Sequence, residues 1–233
     1  NFLKSTYQIS KKISIYGDFQ LRNIKYKTTG STINLSDFSV NKKYSFFNPK
    51  AGINFQMNNK NRLYFSVARA FREPTRSDFE SNPEIMPEEL VDYELGWNYK
   101  LEKMQFKTNW YFMSYKNQLV LTGEIDDVGA PIRENSGKSY RHGLEIESLI
   151  GLSDKISVNA NISLSENKNI DYVTSFDGEI VNLGDTKISF SPKLISYIGF
   201  MYTPSEKLYL SFLNKHIGKQ YMSNTEAQLS KLE

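Results

Sequence analysis

The 233 residues carry 29 basic and 26 acidic side chains and no cysteine, for a formal net charge of +3, and the basic residues are scattered along the chain. That balance gives no basic stripe for nucleic acid and removes disulfide scaffolds and cysteine-based zinc sites. A mean hydropathy of −0.51, with no apolar run near the ~18 residues of a membrane helix, excludes a helical membrane protein but not a membrane barrel, whose strands need apolar residues only at alternate positions. Aromatic residues reach 14%, with 15 Tyr, 15 Phe and only 2 Trp, a bias that suits strands and a membrane interface.

In chain order, Asn1 opens inside a strand-like pattern without a leader segment, so the sequence reads as part of a longer protein. Ile13, Ile15, Phe19 and Leu21 then alternate with Ser14, Tyr16, Asp18, Gln20 and Arg22, the period of a strand with two unlike faces. The clearest strand is Val91 to Lys100, with Val91, Tyr93, Leu95, Trp97 and Tyr99 on one face and Asp92, Glu94, Gly96, Asn98 and Lys100 on the other. Residues 105–121 read as one extended element, with Phe106, Thr108, Trp110 and Phe112 opposite Lys107, Asn109 and Tyr111. Ile156, Val158, Ala160, Ile162 and Leu164 repeat the alternation. The chain closes on the polar stretch Ser223–Glu233, where a final amphipathic strand is absent and Leu232-Glu233 reads as a cloning scar.

The connections alternate as regularly as the strands. Short polar turns are expected at Ser10–Lys12, Asn58–Asn61, Leu101–Met104, Ser153–Lys155 and Ser205–Lys207. Long polar loops are expected near 28–43, 73–89, 122–136 and 171–187, with another after about 217. The pattern gives about ten strands in hairpins, short turns at one end and long loops at the other, which is the asymmetry of an outer-membrane barrel. The fold class is therefore all-β, an antiparallel up-and-down transmembrane barrel of which this chain is a part. A soluble β-rich binding or adhesion domain and a passive porin-type barrel are the alternatives.

From about residue 45 the ordered set Phe47-Asn48-Pro49-Lys50-Ala51-Gly52-Ile53-Asn54-Phe55, Arg62–Pro74, Pro87-Glu88, Tyr93-Glu94-Leu95-Gly96, Asn135 and Gly143-Leu144-Glu145-Ile146-Glu147 resembles the C-terminal part of TonB-dependent receptor barrels. The resemblance implies a barrel of about 22 strands with its lumen plugged by an N-terminal domain. It implies uptake of a scarce small molecule, a ferric siderophore, haem or cobalamin, across the bacterial outer membrane. The implied partners are outer-membrane lipid, the ligand, such as a metal chelate, and a TonB-type energy-coupling protein engaged through a segment outside this chain.

Nothing in the pattern supports an enzyme or a resident cofactor: no Ser-His-Asp set, phosphate loop or zinc spacing occurs. His142 and His216 are the only histidines, without paired ligand spacing, so no metal site is expected. The acidic pairs Glu88-Glu89 and Asp126-Asp127 read as solvated loop charge, with calcium ligation as the other possibility. Ligand capture is assigned to arginines near the loops, Arg69, Arg72, Arg76, Arg133 and Arg141, because a planar guanidinium donates paired hydrogen bonds to anionic chelators. The opposing expectation is that Arg72 and Glu73 fix the corner at Pro74 and that Arg141 pairs with Glu145 or Glu147. Tyr64, Tyr111 and Tyr115 are expected to line the lumen.

Overall fold

The computed structural model describes residues 1–31, 37–125, 129, 131–176 and 179–232. Its wall strands are β1 (Phe2–Gln8), β2 (Ile13–Ser31), β3 (Asp37–Asn58), β4 (Asn61–Arg72), β5 (Glu88–Lys100) and β6 (Met104–Lys116), then β7 (Leu119–Ile125) and β8 (Pro131–Asn135) form a hairpin off the wall. The wall resumes with β9 (Lys138–Gly151) and β10 (Ile156–Ile170). Three short strands, β11 (Val173–Phe176), β12 (Glu179–Asn182) and β13 (Thr186–Lys187), intervene before β14 (Leu194–Ser205) and β15 (Leu208–Ile217) complete it. Beyond the wall, β16 (Gln220–Tyr221) pairs β17 (Lys231–Leu232). The wall order β1-β2-β3-β4-β5-β6-β9-β10-β14-β15 is an antiparallel meander, with β13 added to β10, and it forms an unclosed part of a barrel.

Alternation sets the two faces, and register joins them across strands. One row runs Tyr7, Ile15, Ile53, Phe65, Leu95, Trp110, Leu144 and Leu164 from β1 to β10, and each of these large side chains is exposed. The neighbouring row on the other face reads Tyr16, Gly52, Ser66, Glu94, Tyr111, Gly143 and Ser165, all buried or half-buried. Apolar residues thus face outward and polar ones inward, the reverse of a water-soluble β-sandwich.

The inner face contains a repeated device. Tyr16, Tyr64 and Tyr111 stand directly opposite Gly52, Gly96 and Gly143 on the next strand. A Cβ at these glycines would lie 2.6, 2.1 and 2.7 Å from the tyrosine. Each phenol therefore occupies the space an inward side chain would take, and glycine's missing Cβ is what lets the ring cross the neighbouring strand. Tyr64 is fixed further by its hydroxyl donating to Asn109 Oδ1 at 3.0 Å.

Five tight turns fall where the sequence places them, at the ends of β1, β3, β5, β9 and β14. Two expectations are corrected. The loop expected over 28–43 is mostly strand, since β2 and β3 stay paired out to Ser31 and Asp37. Residues 105–121 are not one element: β6 stops at Lys116, and Asn117 adopts a left-handed φ of 54° that turns the chain into the β7–β8 hairpin. Its partner across the corner is Gly137, φ 75°, whose carbonyl accepts from Asn117 N.

The packed apolar clusters form where the loops meet the far ends of the wall strands, β2 and β3 in the first cluster. Val40, Phe79, Ile85 and Leu119 form one buried cluster with Tyr26 and Tyr44 against it; Val120, Tyr172 and Ile188 form a second with Leu183. Leu119 and Val120 are consecutive in β7, so strand alternation sends one side chain into each cluster. The short helix α1 (Arg76–Ser81) supplies Phe79 and starts at Thr75, which exchanges capping-box bonds with Asp78.

Candidate functional site

The loops and the upper inner wall bring together the residue types suited to holding a small polar molecule. Four of the five candidate arginines are tied to carboxylates. Arg69 donates to Glu89 Oε1 at 2.8 Å and lies over the Phe71 ring, 4.7 Å from its centroid. By register it shares the outward set with Val67 and Val91. Arg72 bonds Glu88 Oε2 at 3.1 Å and the Leu119 carbonyl at 3.3 Å, while Glu88 Oε2 accepts from Leu119 N at 2.8 Å. This pair holds both backbone groups of Leu119 and so anchors the linking strand of the loop core to the wall. Arg76 pairs with Glu80 one helical turn on, at 2.7 Å. Arg133 reaches Asp78 Oδ1 at 3.5 Å, beneath the capping box of α1.

Arg141 differs from these. Its Nη1 donates to Ser191 Oγ at 2.9 Å, rather than to Glu145 or Glu147, and Glu147 pairs instead with Lys107 at 3.0 Å. Arg141 sits with Tyr111, Ser165, Asn167, Ser191 and Phe190 around a recess of about 310 Å³ on the inner face. Phe190 holds a φ of 50°, costly for a bulky side chain by about 1–3 kcal/mol, with its N–H donating to the Tyr221 carbonyl at 2.8 Å. Lower on the same wall Glu94 accepts from Ser66 Oγ at 3.0 Å and lies 3.8 Å from Lys50, and Glu145 also borders the recess. The recess therefore offers one guanidinium with a neutral partner, a phenol, hydroxyls and an amide, with carboxylates below.

Other expected residues have structural partners. The Arg72-Glu73-Pro74 corner is fixed by Arg22, whose guanidinium meets both Glu73 carboxylate oxygens at 2.8 and 2.9 Å, and Pro74 is fully buried. Glu88 and Glu89 are both committed to ion pairs, and Asp126 and Asp127 lie outside the described residues. Asn135 binds the Met86 N–H and carbonyl and the Asn117 carbonyl, at 2.8, 2.9 and 2.9 Å, stapling two loops at the corner. His142 lies 3.4 Å from Glu166 and stacks on Tyr140. No group of acidic, histidine or cysteine side chains able to hold a metal occurs among the described residues.

Ser191, Asn167 and Phe190 were not among the residues picked from sequence. The one usable signal was the Ser189-Phe190-Ser191-Pro192 break before β14, a turn composition with a bulky residue inside it. Above the recess, Tyr172 donates to Glu134, and Asn224, fully buried, accepts from Ser189 N at 2.9 Å and donates to the Leu121 carbonyl. Burial first, then the Glu134 carboxylate, pushes the Tyr172 phenol well above its ordinary range.

Comparison with known proteins resolves what this wall belongs to. A family model described as TonB dependent receptor-like, beta-barrel, matches residues 2–230. The chain belongs to the TonB-dependent receptor β-barrel family. Among solved structures the receptor barrel matches the siderophore receptor PiuA from Acinetobacter baumannii, at TM-score 0.78 and 17% identity over 96% of this chain and 34% of that one. It matches the ferric yersiniabactin uptake receptor FyuA from Yersinia pestis at TM-score 0.71 and 15% identity, over 99% and 36%. The ferric-catecholate import receptor Fiu from E. coli K12, closed form, matches at TM-score 0.69 and 13% identity, over 94% and 34%. The chain thus spans about a third of the length of these structures. No curated protein sequence matches it. No helix among the described residues is long and apolar enough to cross a membrane, which says nothing of strands.

Proposed function

We propose that this chain is the wall and loop portion of an outer-membrane receptor that imports a metal chelate, a ferric siderophore, haem or cobalamin, using energy from a TonB-type coupling protein, and that it catalyses no reaction. The observation that carries the reading is the inversion of the sheet, with an exposed apolar row from Tyr7 to Leu164 outside and a polar, tyrosine-lined row inside, in a chain of this family. Lipid covers the first row, and a plug domain packs against the second. The tight turns then face the periplasm and the long loops the exterior.

Within that assembly Arg141 is the ligand-facing cation of this portion, because its guanidinium is held by a neutral hydroxyl and keeps donors for an anionic chelator. Arg69, Arg72, Arg76 and Arg133 serve capture mainly by holding the loops in place. Cells carrying the full-length receptor, offered ferric catecholate, ferric hydroxamate, haem or cobalamin, should accumulate one of them only when the coupling protein is present. In the Arg141→Ala receptor that uptake should need at least ~10-fold more ligand, the loss of about one charged hydrogen bond. Uptake that is linear in concentration and indifferent to the coupling protein would identify a passive pore instead.

A further inference from the structure

The inward positions divide the wall into two sectors of different charge. Every wall strand from β3 to β9 turns at least one charged side chain inward: Lys50 on β3, Arg62 on β4, Glu94 on β5, Lys107 on β6 and Arg141 on β9. On β10, by contrast, every inward residue from Ser157 through Asn169 is a serine or an asparagine. Opposite them on β14 stand Met201, Gly199, Tyr197 and Ile195, so the β10–β14 pair has no charged inward side chain over its paired length. Two recesses open on this neutral seam. Ser163, Ser165 and Asn167 line the recess of about 310 Å³ that holds Arg141, and Asn159 and Asn161 line a second, of about 160 Å³, beside the Lys107–Glu147 ion pair. These are consecutive inward positions of one strand, so the lower recess begins where the upper one ends.

The polar groups of the seam are uncommitted. Asn161 and Ser163 make no side-chain hydrogen bond among the described residues, and Asn159 Oδ1 is buried without a partner there. The Asn159 amide lies where a Cβ on Gly199 would stand, so β14 adds no bulk beside it. From Ser157 to Asn167 the seam covers about 33 Å along the strand, or roughly 23 Å along the membrane normal at a ~45° tilt, close to the ~25 Å height of a barrel's apolar band. Whatever packs against the charged sector is held by charge-assisted hydrogen bonds, each roughly 10-fold stronger in equilibrium than the neutral ones the seam can form. The grip of the wall on its contents is therefore weakest along β10. Amides and hydroxyls both donate and accept, so a polar molecule moving down the seam exchanges one partner for the next without parting two charges.

Resting on the plugged-barrel reading proposed above, we infer that the inner face of β10 is the passage along which the imported chelate moves from the Arg141 recess toward the tight-turn end, while the charged sector from β3 to β9 anchors the plug. Register supplies controls matched in depth, since Asn98 lies in the same cross-strand row as Asn161, and Asn54 in the same row as Ser163. The test places single cysteines at these four positions in the full-length receptor in nanodiscs and times their reaction with a small sulfonated methanethiosulfonate. N161C and S163C should react at least ~10-fold faster than N98C and N54C, the contrast of one charged contact against one neutral one. In cells, with the amount of receptor in the outer membrane scored first, N161W should slow coupling-protein-dependent uptake of ferric catecholate, ferric hydroxamate, haem or cobalamin by at least ~10-fold. Its surface binding in the cold should shift by less than ~2-fold, and N98W should leave uptake within ~2-fold. Equal reaction rates within each matched pair, or uptake slowed as much by N98W as by N161W, would overturn the passage. Weakened binding in N161W would overturn it too, by moving Asn161 into the capture site. Uptake by the unaltered receptor that ignores the coupling protein would instead overturn the receptor reading beneath it, a failure that the rate comparison, needing no imported molecule, keeps separate.

Discussion

Substituting Gly96 by alanine tests whether the inner wall is built from tyrosine rings crossing glycines. The new Cβ would stand 2.1 Å from Tyr64 Cε1, 2.2 Å from Cζ and 2.5 Å from the hydroxyl, so the ring cannot stay where it is. Moving it costs about 1–3 kcal/mol in overpacking and strain. It also breaks the Tyr64–Asn109 hydrogen bond, worth about 1 kcal/mol. The expected loss is about 2–4 kcal/mol. Denaturant titration of the full-length barrel in lipid vesicles, followed by tryptophan fluorescence, measures it, with Trp97 and Trp110 on β5 and β6 as local reporters. The double variant is the sharper test. With Tyr64→Ala already present the clash has no partner, so Gly96→Ala should then cost less than about 0.5 kcal/mol. An equal cost in both backgrounds would refute the pairing and leave only a backbone preference for glycine on β5.

Further expectations follow from the facing and the loop core. Leu95→Lys, on the outward row, should cost about 2–4 kcal/mol in a bilayer, whereas Asn98→Lys on the inner face should change stability by less than about 1 kcal/mol; equal tolerance at the two sites sinks the facing assignment. Arg72→Gln removes the cation beside Glu88, whose side chain is only 12% exposed, and should lower the protection of the Leu119 amide in hydrogen exchange by about 1–2 kcal/mol without affecting the β5–β6 ladder. Tyr172 has a folded pKa raised above its ordinary 10.0, so its share of loop stability is whole below pH 10.0 and declines as the pH climbs toward the folded value. Hydrogen exchange in β7 and β11 should therefore quicken above pH 10, and Tyr172→Phe should blunt that alkaline step; the same step in the variant would place its origin elsewhere.

What the sequence shows of this fold is whatever the two environments impose. Val91–Lys100 is legible because an exposed apolar face and a polar inner face demand strict alternation. Strands become illegible where they continue past the apolar belt. Thr28, Thr29, Gly30, Asn41, Lys42 and Lys43 are polar or small on both faces, read as loop, and are paired strand. The break after β6 was hidden for a different reason, since Tyr115-Lys116-Asn117-Gln118-Leu119 keeps a strand-like composition and only Asn117's left-handed φ turns the chain.

The candidate arginines were visible as residues but not as contacts. Arg72 is 16 residues from Glu88 and Arg133 is 55 from Asp78, separations at which sequence supplies no register. Arg141 emerges only after the Ser189–Pro192 turn folds back over β9 and β10. The tyrosine–glycine crossings need register as well. Tyr64 and Gly96 are each ordinary strand residues until β4 is laid against β5.

The central claim is that the apolar row from Tyr7 to Leu164 meets hydrocarbon while the adjoining row meets the lumen. Because the chain contains no cysteine, single spin labels can be placed on it without background from this portion. Leu95→Cys, Trp110→Cys and Leu144→Cys would be labelled in the full-length receptor in bilayers, beside Glu94→Cys and Asn109→Cys, and probed with oxygen and a water-soluble nickel chelate. The account predicts high oxygen and low nickel accessibility at the first three sites and the reverse order at the other two. Nickel access at Leu95, Trp110 and Leu144 equal to that at Glu94 and Asn109 would contradict it.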